Sequence, residues 1–282
     1  MPVLDNPYLG KLAVLPTLHE KETVIYPVFH SLLGIDVRVA KINTDQFGTF
    51  AGEVPRTLSQ LGAALAKARL AIASTGVPLA IASEGTIGPN PLIPIVSSDL
   101  ETMVFIDDEK GVVIHESYRS AEITAVREIF RPGDSLDGFL AKADFPTHAL
   151  IVRSEQVDKV EAVKGIRDKE RLTKAVKELA SFAGAVVVES DLRASYSPSR
   201  MKNIAECARL LALRIASKCP QCNMPGWGLV EPIFGLPCED CGELAQHAVS
   251  ADQFGCGSCE YQEVSPRAEK SAQARFCDSC NP

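Results

Sequence analysis

Four Cys-x-x-Cys pairs crowd the end of this chain: Cys219/Cys222, Cys238/Cys241, Cys256/Cys259 and Cys277/Cys280. A two-residue gap lets both sulfurs of a pair face one point, and two pairs complete the tetrahedron that zinc favours. Fifteen residues separate the first two pairs and seventeen the last two, close to the spacing of zinc ribbons. Disulfides require an oxidising compartment, and a redox Cys-x-x-Cys normally occurs once, beside a βαβ unit. Iron–sulfur ligation is a further alternative, but zinc fits best. With four protein ligands per ion no position stays open for water, so both zincs are expected to be structural. The similar gaps favour sequential pairing, giving two stacked ribbons, over an alternating cross-brace.

The chain has 282 residues and nine cysteines. The ninth, Cys207, borders the helical stripe Ile204, Ala208, Leu211 and Ile215 and reads as a buried thiol. His247 reads as a surface residue. A length of this size implies two domains, expected at 1–218 and 219–282. Net charge is −7. From Cys219 onward three basic residues face nine acidic ones, so the tail carries −6 of that charge. Nucleic-acid modules need clustered Lys and Arg to displace counterions from phosphates; an acidic tail is expected to dock a protein partner instead. No run approaches the ~20 apolar residues of a membrane helix. The start, Met1-Pro2-Val3-Leu4-Asp5, lacks the pattern of a secretory signal. A cytoplasmic location is expected.

Before the tail, apolar strands alternate with helical stretches. Lys11–Pro16, Ile35–Ile42 and Pro78–Ala82 read as strands, and Arg56–Thr75 as a helix ended by Gly76. Met103–Ile106 and Val112–Tyr118, joined by Asp107–Gly111, read as a hairpin. Strands at Ala149–Val152 and Ala185–Glu189 flank a helix at Asp168–Ala183. Ser197-Pro198 opens a long helix to Lys218. This order predicts an α/β fold: a mixed, largely parallel sheet flanked by helices, followed by a small C-terminal double zinc-ribbon module.

Ligands of open α/β sheets gather at the carboxyl ends of strands, and three loops sit there. Thr17-Leu-His19-Glu-Lys21 suits a phosphate at a helix start. The loop 44–56 offers Asp45 and Glu53 to a hard cation, Arg56 to an anion and Phe47 to a base. Ser83-Glu84-Gly85 places a carboxylate after a buried strand, where it is costly unless it binds something. With Asp45 or Glu53, Glu84 suits the few oxygen ligands that Mg²⁺ takes beside substrate phosphates. A basic set follows: Lys164 and Arg167, then Arg193 and Arg200 leading into a helix N-terminus. His115 and His148 fall in strand-like stretches and read as structural.

The Asp-x-Phe-Gly-Thr-Phe-x-Gly-Glu loop, the Ser-Glu-Gly loop, Lys-Gly-Ile-Arg-Asp and the cysteine tail together resemble an uncharacterised bacterial family known only as a domain of unknown function. The first ~90 residues also resemble, distantly, the inosine/xanthosine triphosphate pyrophosphatases. Thr17–Lys21 is similar to their phosphate loop, with His19 where Asn is usual. Ala64-Leu-Ala-Lys67-Ala68, Thr75-Gly-Val-Pro78 and Glu84-Gly85 follow in the same order. The chain departs from them at Gly62, where an acid is usual, and at Ala82-Ser83-Glu84, where paired aspartates are usual. The resemblance implies a Mg²⁺-dependent nucleoside-triphosphate hydrolase. Glu84 with Glu53 or Asp45 would hold the metal, and Lys21, Lys67 and Arg56 would neutralise phosphate charge. The alternative is a nucleotide-binding protein without catalysis.

Overall fold

The computed structural model describes residues 6–47, 57–91, 93–154 and 162–282. The chain divides into two compact units, Met1–Ile106 with His115–Leu211, and Asp107–Ile114 with Ala212–Pro282.

In the first unit, β1 (Leu12–Pro16), α1 (Glu22–Leu33), β2 (Asp36–Ala40), α2 (Gln60–Thr75) and β3 (Leu79–Pro89) follow in order, then β4 (Ser97–Asp107) and β5 (Val112–Ser120). Their sheet order is β2-β1-β3-β4-β5. The two helical crossovers make β1 parallel to β2, with Leu12 opposite Asp36, and to β3, with Val14 opposite Ala80. Gly34 and Gly76 end the helices at φ 64 and 71, in the left-handed region where glycine carries no Cβ penalty. At the other end of α2, Ser59 accepts a hydrogen bond from the Gly62 N–H at 3.1 Å. Later links are short: residues 90–96 join β3 to β4, and residues 108–111 join β4 to β5. Parallel neighbours need a crossover of about a dozen residues, so these pairs are antiparallel hairpins.

The second sheet of this unit holds β6 (Arg127–Phe130), β7 (Leu150–Ser154), β8 (Val163–Ile166) and β9 (Val186–Ser190), in the order β6-β9-β7-β8. Every pairing in it is antiparallel. The expectation of a largely parallel sheet is therefore corrected: among the described strands the β1–β2 and β1–β3 pairs are the parallel ones. The misreading has a physical cause. Lys164–Arg167 reads as a basic loop, yet Val163–Ile166 is a strand. It doubles back on β7 before α4 (Lys169–Ala183) crosses to β9. Short α3 (Asp137–Lys142) precedes β7, and α5 (Pro198–Ala216) follows β9. His148 is buried; its Nε2 accepts the Ser199 N–H at 3.1 Å, meeting one orphan donor of the first turn of α5. No helix among the described residues is long and apolar enough to cross a membrane.

The second unit contains an antiparallel meander, β10 (Gly228–Pro237), β11 (Leu244–Gly255) and β12 (Gln262–Pro266). Leu236, Ala245 and Ala272 form a small buried apolar cluster on it, and Val112, Ile114, Ala212 and Ile215 are further buried apolar residues of this unit.

Candidate functional site

In the tail, one Cys-x-x-Cys pair precedes β10, one lies in each turn of the meander, and one follows β12. An up-down-up path puts odd-numbered pairs at one end of the sheet and even-numbered pairs at the other. Gly228 at the start of β10 faces Gly255 at the end of β11, and Pro237 faces Leu244 at the opposite end. Cys219, Cys222, Cys256 and Cys259 thus form one group, and Cys238, Cys241, Cys277 and Cys280 the other, with sulfurs within 4.8 Å of one another in each. The sequential pairing expected from the spacing is corrected to an alternating one. Measured S···S distances include 3.6 Å for Cys222–Cys256, 3.9 Å for Cys219–Cys259, 3.6 Å for Cys241–Cys277 and 3.8 Å for Cys238–Cys280. A tetrahedron with metal–sulfur bonds of about 2.3 Å has edges of about 3.8 Å, so both groups fit a thiolate-bound ion. The backbone N–H groups of Cys241 and Asp240 pull the Cys238 thiol down to about 7, toward the form that binds metal. His247 is exposed on β11.

In the first unit, the end of β1 and the middle of β3 gather a buried charged cluster; the loop expected at Ser83-Glu84-Gly85 is corrected, because the strand runs on through these residues to Pro89. Thr17 closes β1, and its Oγ1 accepts the His19 N–H at 3.2 Å. Lys21 stands at the start of α1, buried, its Nζ donating to Ser83 Oγ at 2.9 Å. Successive residues of a strand face opposite sides, and the next residue, Glu84, takes Lys67 Nζ from α2 at 2.5 Å. Gln60 Nε2 ties β3 to β4, donating to the carbonyls of Glu84 at 2.9 Å and Leu100 at 2.6 Å. Beyond Gly85 lies an ion pair fully shut from water, Arg200 Nε to Glu101 Oε1 at 2.6 Å. Burial pushes the Lys21 ammonium down to about 8, against the pull of the Glu101 charge. Burial together with Glu101 pushes Asp99 up to about 6.

A Cβ on Gly85 would meet Glu101 Oε1 and Arg200 Nη2 closer than real Cβ atoms approach their neighbours. Gly85→Ala is therefore expected to destabilise the fold by about 1–3 kcal/mol through overpacking, measurable by urea unfolding. Unchanged stability would mean that the ion pair yields freely.

Of the residues singled out in the sequence, Thr17, Lys21, Lys67, Ser83, Glu84, Gly85 and Arg200 are buried in this cluster, and His19 and Phe47 are half-buried. Glu53, Arg56 and the side chain of Asp45 lie outside the described residues. Arg167 and Arg193 gather elsewhere, their guanidinium groups over the Tyr196 ring at 5.5 and 4.3 Å from its centre. Lys164 neighbours Gly165, whose N–H donates to Asp191 at 3.0 Å. Sequence reasoning missed Asp99, Glu101, Asn203 and Asp191. One signal was present: Asp99, Glu101, Met103 and Phe105 alternate as one face of a strand, and α5 presents Arg200 and Asn203 three residues apart to meet the two acids.

A family model described as Domain of unknown function (DUF6671) matches residues 67–282, and the chain belongs to that family. The match begins at Lys67 and takes in Glu84, Glu101, Arg200 and all eight paired cysteines. No curated protein matches the chain.

Proposed function

We propose that this family member binds a phosphate-bearing, nucleotide-like ligand beside the end of β1 and the middle of β3, and that its tail holds two structural zinc ions. The ligand reading is carried by Lys21. Its burial lowers the ammonium's pKa to about 8, a cost to stability that an incoming anion would offset. Lys67 beside Glu84 and the Thr17–Lys21 turn at a helix start add to the same chemistry.

The reading has a catalytic form, hydrolysis of a nucleoside triphosphate or a related compound. Bound Mg²⁺ would supply positive charge at the phosphate oxygens, with Glu84, Asp45 and Glu53 as the residues to hold it. Lys21, Lys67 and Arg56 would neutralise phosphate charge. Binding without turnover is the second reading, favoured by one observation: Glu84 already shares its charge with Lys67.

The experiment is a screen of the full chain against nucleoside triphosphates, inosine and xanthosine forms included, with Mg²⁺ and pyrophosphate detection. Release that vanishes in Glu84→Gln supports hydrolysis. Binding without release supports the second reading, and neither binding nor release sinks both. The acidic tail is proposed to dock a protein partner; retention on heparin at physiological salt would turn that proposal toward nucleic acid.

Lys21 yields a pH test. Because its folded pKa lies below 10.5, its destabilising effect is fully present below about 8 and fades as pH rises from there toward the unfolded value. Lys21→Met is thus expected to raise the melting temperature at pH 7 while weakening binding of inorganic pyrophosphate. In the unsubstituted protein that binding is expected to weaken as pH rises above 8. Flat affinity from pH 7 to 9.5 would remove Lys21 from the site.

A further inference from the structure

A second candidate site lies on the other sheet of the first unit, away from Lys21 and Lys67. Where β9 ends, a cavity of about 230 Å³ opens, with Val126, Ile151 and Leu192 among its apolar walls and Ser190 and Arg193 among its polar ones. That volume is below the ~300–1,000 Å³ of pockets for drug-sized ligands, so it suits a small molecule.

Its polar wall is held in place. The Asp191 side chain is fully buried, and it accepts the Gly165 N–H at 3.0 Å, Arg193 Nε at 2.9 Å and Arg193 Nη2 at 2.5 Å. The Tyr196 ring supports the same guanidinium at 4.3 Å. Two hydrogen bonds and a stacked ring fix the Arg193 plane before any ligand arrives, so little side-chain entropy remains to be lost on binding. Ser190 Oγ accepts the Val126 N–H at 3.1 Å, which leaves its hydroxyl hydrogen as a donor.

The carboxylates of the cavity are already paired. Arg127 and Arg193 line it together with Glu189 and Asp191. Glu189 is held by Arg153, from outside the lining, at 2.8 Å and by Arg127 at 3.7 Å, and Asp191 by Arg193, so neither acid stands as an uncompensated charge against an incoming anion.

We propose that this cavity binds a small organic anion, its carboxylate or phosphate head against Arg193 and Ser190 and its apolar body against Val126, Ile151 and Leu192. The proposal stands apart from the phosphate reading of the Lys21 site. It predicts that Lys21→Met leaves this binding unchanged.

The test is titration calorimetry of the full chain with benzoate, phenyl phosphate, inorganic phosphate and the neutral benzyl alcohol. At least one aromatic anion is expected to bind, about tenfold or more tightly than benzyl alcohol and than inorganic phosphate. Whether benzoate or phenyl phosphate binds better identifies the head group. Arg193→Gln is expected to abolish that binding, but it also strips Asp191 of its partner. Ala125→Phe is the cleaner variant, because it fills the cavity from a partly exposed wall position and leaves the Asp191–Arg193 pair intact. Loss of binding in a folded Ala125→Phe protein is the supporting result. Binding that survives it, benzyl alcohol binding equally well, or no binding of either aromatic anion at millimolar concentration would overturn the proposal.

Discussion

Cys238→Ser is expected to empty both metal sites of the tail, taking zinc from two ions per chain to well under one. Cys238 belongs to only one group of four, so independent sites would retain one ion. The alternating arrangement removes that independence. Each group clamps one end of the β10–β11 pair, and the buried apolar cluster on these strands, among the described residues, is small: Leu236, Ala245 and Ala272. So small a core cannot keep the strands in register alone. In a module of this kind metal binding, on the order of 10–16 kcal/mol for a structural zinc, is the folding free energy.

The chain's one tryptophan makes the effect visible. Trp227 stacks on Tyr261 at 5.4 Å and Phe254 at 6.3 Å. It lies five residues beyond Cys222 in sequence and so reports on the group to which Cys238 does not belong. A red-shifted Trp227 emission in Cys238→Ser, matched by a chelator in the unsubstituted protein, is the expected result. One retained ion with unshifted emission would show that the two sites fold separately.

The second large effect is expected at Arg200. Arg200→Leu leaves Glu101 as a carboxylate with no water around it and no cation in contact. Removing one member of a buried pair costs about 3–5 kcal/mol. For a unit of this size each kcal/mol is about 2–4 °C in melting temperature, so a fall of roughly 6–20 °C is expected. One Glu101 oxygen already lacks a hydrogen-bond partner among the described residues, and the nearby Lys21 ammonium is left to offset part of the loss. Arg200→Leu combined with Glu101→Leu is expected to recover most of the loss, because an apolar pair avoids the desolvation penalty. A single-variant shift below about 2 °C would mean that Glu101 is neutral or hydrated in the fold. Failure of the double variant to recover would assign the loss to packing over Gly85.

The resemblance to a family of unknown function rested on motifs spread along the chain, and the family match bears it out. What was legible locally came from chemistry that acts over a few residues. Gly34 and Gly76 mark helix ends because only the residue at the turn has to adopt the left-handed conformation. Cys-x-x-Cys announces a metal knuckle because both sulfurs come from one turn. Lys21, Ser83 and Glu84 were nominated because ligands of α/β folds collect at strand ends; for Ser83 and Glu84 that reasoning stopped the strand too early, since β3 runs on to Pro89.

Glu101 escaped because its importance is not local. An acid two residues before Met103 looks like a solvated strand end until α5, a hundred residues later, lays Arg200 over it. The strand direction at Val163–Ile166 escaped for a related reason. Four residues containing a lysine and a glycine carry too little apolar pattern to announce a strand, yet that strand turns an apparent parallel unit into an antiparallel sheet.

For the tail, the sequence by itself determined that eight cysteines would make two four-thiolate groups. Only the tertiary structure decided which cysteines share a group. Spacing along the chain is nearly the same for either pairing, whereas an antiparallel meander returns to the same end after every second strand. That parity brings the first pair to the third and the second to the fourth.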